Sequence, residues 1–130
     1  MSALCFKIPK SSRVFLLEDS ELRIEWFKKK KIHNLTIAKT ADEAISILTC
    51  CAPFDFVFLD HDLGILDYTG ENQTGKGNGQ EVALHLAETG FLGNKVCIHS
   101  WNPSGAANMA RILKNAATVI PFGNFDIEEV

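Results

Sequence analysis

Apolar and polar positions along the chain fall into blocks of two alternating kinds. Arg13-Val-Phe-Leu-Leu17 is a short apolar run closed by Glu18-Asp19-Ser20, the pattern of a strand buried on both faces of a sheet. Ser20 is positioned to cap a helix reaching to about Lys31, with Leu22, Trp26 and Phe27 available for packing. The lysines at 28–31 sit where cations meet the negative pole of a helix dipole. Residues 35–38 form a second short strand. Thr40-Ala-Asp-Glu43 has capping-box spacing, and Ala41, Ala44, Ile45 and Leu48 follow at helical intervals. Pro53 stops this helix, and residues 54–59 form a third strand that closes in Asp60-His61-Asp62.

Residues 64–79 hold five of the nine glycines and show neither period, so they read as a loop insertion. A helix resumes over 80–89, with Val82, Ala83 and Leu86 inward and Gly90 as its stop. Residues 95–98 form a fourth strand, ending in His99-Ser100. Asn102 and Pro103 suit the N-cap and first position of a helix whose buried stripe is Ala106, Met109, Ala110 and Leu113. Residues 118–120 form a fifth strand before Pro121, and the acidic tail is expected to fray. Strands alternating with helices predict an α/β fold, a doubly wound parallel sheet between two helical layers. Right-handed crossovers make 2-1-3-4-5 the leading strand order. The 130 residues read as one domain, its core spanning about 13–122.

Charge and composition narrow the partners. The net charge is −3, so no basic field exists to hold duplex DNA. The apolar runs are far short of the ~20 residues of a membrane span, and the first residues lack the layout of a secretory signal. Cys5, Cys50, Cys51 and Cys97 include no Cys-x-x-Cys spacing. They are expected to be reduced thiols in a cytoplasmic protein, with Cys97 a small hydrophobe inside its strand.

In an open parallel sheet, ligands bind beyond the carboxyl ends of the strands. The residues there are Glu18-Asp19, Asp60-His61-Asp62, and His99-Ser100 with Asn102 just beyond. Polar strand ends also serve as ordinary caps and turns, but here several carboxylates, two histidines and a hydroxyl are predicted on three adjacent strands. As strand-end residues beside a crevice, both histidines are expected to add little to the core. His33 and His85 read as surface residues. Gly70-x4-Gly75-Lys76 half-matches a phosphate-binding loop, but Gly77 stands where a magnesium-holding hydroxyl is needed. His61 and Asp62, with Asp60 and His99, could also form a zinc, manganese or iron set.

Leu17-Glu-Asp-Ser20, Val57-Phe-Leu-Asp60 and Ile98-His-Ser100 resemble the receiver domain of two-component response regulators. The resemblance puts Asp60 at the phosphoacceptor position and implies a site for magnesium or another divalent metal on Glu18, Asp19 and Asp60. Two features depart from that family. Ile120-Pro121-Phe122 stands where a receiver carries a lysine, which removes a charge-assisted contact to a phosphoryl oxygen. A long glycine-rich loop also replaces the short turn after the phosphoacceptor.

Leu59-Asp-His-Asp-Leu63 and Ile98-His-Ser-Trp-Asn-Pro-Ser-Gly105 are more similar to the cyclic-phosphate-processing receiver family, which carries a histidine at each of these strand ends. His61, Asp62, His99, Ser100 and Asn102 match it residue by residue. The implied function is a phosphoesterase acting on cyclic phosphates of nucleotides or RNA ends. One imidazole would take a proton from water and the other would protonate the ribose oxygen. Asp62 or Asp60 would orient His61, while Ser100 and Asn102 would hold phosphate oxygens. This mechanism requires no cofactor. The alternatives are a degenerate receiver that binds phosphate or nucleotide alongside a signalling-protein partner, and a conventional receiver phosphorylated on Asp60.

Overall fold

The computed structural model describes residues 6–51, 54–60, 79–89, 95–99, 103–113, 117–119 and 125–128. Its elements are β1 (Phe6–Pro9), β2 (Arg13–Leu17), α1 (Glu21–Lys29), β3 (Asn34–Ala38), α2 (Ala41–Cys51) and β4 (Phe56–Leu59). They continue with α3 (Gly79–Thr89), β5 (Lys95–Ile98), α4 (Pro103–Ile112), β6 (Ala117–Val119) and β7 (Phe125–Glu128). Five strands form one parallel sheet in the order β3-β2-β4-β5-β6. Counted within this sheet alone, that is the expected 2-1-3-4-5 order of a flavodoxin-like fold.

Side chains alternate across the pleat, and the two faces have separate cores. Phe15, Leu17, Val57, Leu59, Val96 and Ile98 point to the face covered by α2, α3 and α4. Those helices contribute Ala41, Ala44 and Leu48, then Val82, Ala83 and Leu86, then Ala106, Met109 and Leu113. These are the stripes that the helical spacing predicts, with Ile45 and Ala110 at the margin. Val14, Leu16, Phe58 and Cys97 point to the other face, where α1 brings Ile24 and Phe27. Burial pushes the Cys97 thiol up to about 12, so it packs as an apolar group.

Caps form at the helix starts that the sequence marks. Ser20 Oγ accepts from the Arg23 N–H at 3.4 Å. Thr40 Oγ1 accepts from the Glu43 N–H at 3.1 Å, and Glu43 Oε1 accepts from the Lys39 N–H at 3.1 Å. The reciprocal bond of the box thus falls one residue earlier than the usual pattern. Helix α1 stops at Lys29 rather than Lys31. Lys31 has φ 58°, a left-handed conformation that ends the helix as glycine commonly does.

Within the acidic tail, residues 125–128 form a strand instead of fraying. Phe125–Glu128 pairs in parallel with Phe6–Pro9, matching Phe6 to Phe125 and Ile8 to Ile127. Apolar residues at every second position of the acidic tail provide the alternation that a short strand needs. Ile8 is fully buried against the α1 face, so packed structure begins before Arg13. Residues 64–78 of the expected loop lie outside the described residues, as do Cys5, Pro53 and Gly90. No helix among the described residues is long and apolar enough to cross a membrane.

Candidate functional site

Strands β2, β4 and β5 are neighbours, and their backbone bonding continues one residue past each strand. The Asp60 N–H donates to Leu17 O at 3.2 Å and the His99 N–H to Leu59 O at 3.0 Å. Glu18, Asp60 and His99 therefore stand side by side at the carboxyl edge. Each follows a residue of the α1-facing core by two positions: Leu16, Phe58 and Cys97, respectively. The pleat consequently sends all three side chains to one face, beneath α1.

Glu18 is the hub. Its Oε1 lies 3.0 Å from His99 Nε2 and 3.3 Å from Arg23 Nη1, while its Oε2 accepts from the Ser20 N–H at 3.1 Å. Burial opposes charge on this carboxylate, but the hydrogen bond from His99, the Ser20 N–H and the charge of Arg23 outweigh it. Its pKa is held below the ordinary 4.5. Burial pulls His99 the other way, toward its neutral form, and the bond and charge of Glu18 only partly offset this. The pair is thus carboxylate and neutral imidazole, with the Nε2–H donating to Glu18 Oε1.

His99 differs from the expectation for a strand-end residue. It is 2% exposed, and its ring lies 6.0 Å from Phe27 and 6.2 Å from Phe58, centroid to centroid. Helix α1 overhangs the edge and closes this side of the crevice. Removing the imidazole would leave a buried charge short of one hydrogen bond, so His99 belongs to the core as much as to the site.

Glu18, Asp19 and Asp60 are brought together as the receiver resemblance implies, each offering a carboxylate oxygen within 4.8 Å of the others. Three hard oxygen donors fit magnesium or manganese. The softer set of His61, Asp62, Asp60 and His99 gains no such support from His99, whose Nε2 faces Glu18. His61, Asp62, Ser100 and Asn102 lie outside the described residues. His33 is exposed, whereas His85 is half-buried with Nε2 3.3 Å from Thr49 Oγ1.

Sequence reasoning missed one member of this cluster and one pairing within it. Arg23 Nη1 lies 3.3 Å from Glu18 and 3.8 Å from Asp60. Its place one turn into a helix capped by Ser20 was the available signal, since such a side chain can reach back over the loop it follows. The pairing is that of Glu18 with His99, which joins residues far apart in the chain.

Comparisons with known proteins agree with this fold. The solved receiver domain of an HD domain-containing protein from Pseudomonas fluorescens Pf-5 superposes with a TM-score of 0.64 at 12% identity, covering 88% of this chain and 86% of that one. The response regulator domain of Thermotoga maritima CheB gives 0.61 at 20% identity, covering 91% and 83%. The receiver domain of a putative Luxo repressor protein from Vibrio parahaemolyticus gives 0.60 at 17%, covering 92% and 80%. At such identities these likenesses establish the fold alone. No functionally curated protein matches the chain. Residues 14–115 match the profile of the cyclic-phosphate processing receiver domain, a span running from β2 through α4 and including Glu18, Arg23, Asp60 and His99. With most of its length matched and its sheet in receiver order, the chain belongs to the cyclic-phosphate processing receiver family.

Proposed function

We propose that the protein is a phosphoesterase that opens cyclic phosphates of nucleotides or RNA ends at the carboxyl edge of its sheet. The observation that carries this reading is the His99 Nε2–Glu18 Oε1 contact at 3.0 Å. A carboxylate that fixes one imidazole nitrogen sets the tautomer and the orientation of the ring, as in a catalytic triad. His99 and His61 are the two imidazoles, one acting as base and the other as acid. Water attacks phosphorus, one imidazole takes its proton, and the bond to one ribose oxygen breaks as the other imidazole protonates that oxygen. The product is a phosphomonoester. Asp62 orients His61, while Ser100 and Asn102 hold phosphate oxygens. Glu18, Asp19 and Asp60 would hold magnesium, which when bound supplies Lewis-acid charge beside the phosphate. The thiols of Cys50, Cys51 and Cys97 fit a reducing compartment such as the cytoplasm.

His99 also favours a second reading. A ring that is 2% exposed and packed on two phenylalanines suits a structural partner of Glu18, in a module that binds a phosphate or nucleotide and signals to a protein partner. A panel of 2′,3′-cyclic nucleotides, cyclic dinucleotides and oligonucleotides with cyclic-phosphate ends, each with and without divalent metal, separates the two. For the phosphoesterase, His61→Ala and His99→Gln should each lower turnover by about two to four orders of magnitude. The double variant should be scarcely worse, because groups that act as a unit are not additive. Tight binding without turnover under every metal condition would overturn the enzyme reading in favour of the module.

A further inference from the structure

Arg23 places one nitrogen, Nη1, against the carboxylates of two different strand ends, 3.3 Å from Glu18 Oε1 and 3.8 Å from Asp60 Oδ2. The side chains of these partners are 1% and 6% exposed, and that of Arg23 is 18% exposed. The contact is therefore poorly screened by solvent. Glu18 and Asp60 are also two of the three carboxylates whose oxygens lie within 4.8 Å of one another. A magnesium ion bound there would need those oxygens at ~2.0–2.1 Å. The guanidinium and the ion thus draw on the same two carboxylates, and holding both would set like charges close together in a covered pocket.

We propose that Arg23 is a tethered competitor for the cation position of this pocket. A divalent ion enters among Glu18, Asp19 and Asp60 only as the guanidinium moves off Glu18 and Asp60. Arginine keeps its charge at any pH the fold survives, so protonation does not clear the position and only another cation does. Because the arginine is part of α1, whose start Ser20 caps through the Arg23 N–H, its local concentration is high and stays constant. Free magnesium must therefore displace a resident charge rather than fill open carboxylates. This inference does not rest on the phosphoesterase reading, and magnesium alone tests it.

The experiment is calorimetric titration of the whole protein with magnesium chloride at neutral pH, with no phosphate present. Arg23→Met keeps the length of the side chain and removes its charge. Arg23→Lys keeps the charge but loses the planar fork. Lys28→Met removes a charge from the same helix, where Lys28 pairs with exposed Glu25 at 3.7 Å, and so controls for net charge. Arg23→Met should bind magnesium about ten-fold or more tightly than the wild type. Lys28→Met should stay within about two-fold, and Arg23→Lys should fall between. An affinity for Arg23→Met within two-fold of the wild type overturns the proposal. An equal gain in Lys28→Met does so too, as does no magnesium binding by Arg23→Met at tens of millimolar. If circular dichroism shows Arg23→Met unfolded, the wild type is read directly. Magnesium should then shift the Arg23 Nε–H resonance, and an unmoved resonance at saturating magnesium overturns the proposal.

Discussion

Between Glu18 and His99 the proton stays on the imidazole Nε2, and this has a consequence for stability at low pH. His99 holds its proton less firmly in the fold than its ordinary value of 6.5, because burial penalises the cation more than Glu18 rewards it. Below 6.5 the unfolded chain therefore binds a proton that the folded chain refuses. Stability rises with pH through that window and levels off above it. For Glu18 burial again opposes charge, but its donors overcome it and the folded value falls below 4.5. Its contribution is present above 4.5 and is lost as pH falls through the lower folded value. Both groups thus weaken the fold in acid, His99 from 6.5 downward and Glu18 from 4.5 downward. Urea unfolding should show a midpoint that declines as pH drops from 6.5, then declines again below 4.5. His99→Gln should abolish the first decline. A midpoint flat between 6.5 and 4.5 in the wild type would contradict a buried neutral imidazole. The acids and histidine of this cluster were legible in the sequence, because each follows an apolar run by one residue. The burial of His99 was not, since it depends on Phe27 and on where α1 crosses the edge.

At the level of elements, legibility followed the strength of local signals. The stripe and capping box of α2 allow one reading, and the helix forms where they place it. The end of α1 was misjudged because a run of lysines satisfies a helix dipole without stating where the helix stops. The stop comes from the backbone. Lys30 and Lys31 turn their N–H groups onto Phe27 O and Lys28 O at 3.1 and 3.2 Å, and Lys31 takes the left-handed conformation. That conformation costs a side-chain-bearing residue ~1–2 kcal/mol, whereas glycine would add ~0.5–1 kcal/mol of backbone entropy to the unfolded chain. Lys31→Gly should therefore stabilise the protein by about 0.5 kcal/mol, with Lys31→Ala near neutral by the same measurement. Chemical denaturation resolves the difference, and a destabilised glycine variant would show that the lysine side chain contributes more than this cap geometry implies.

For the whole molecule, the sequence's alternation of strands and helices was enough for the sheet order, because right-handed crossovers leave few other arrangements. It did not expose the pairing of β1 with β7. Phe6-Lys-Ile-Pro9 and Phe125-Asp-Ile-Glu128 are short, and their pairing joins segments from opposite ends of the sequence. Such non-local closure carries its entropy cost before any contact repays it. The β1–β7 amides should therefore exchange with deuterium through openings that leave the β2–β4–β5 amides protected. Equal protection of both sets would show a single cooperative unit. The parallel sense of this pairing also determines how the molecule bears load. A pull on the two chain ends draws Phe6 and Glu128 apart along the strand direction and slides β1 against β7. Their inter-strand hydrogen bonds are then strained together instead of being unzipped in turn. A clasp that opens early in thermal equilibrium thus becomes the first resistance that tension on the chain ends must break.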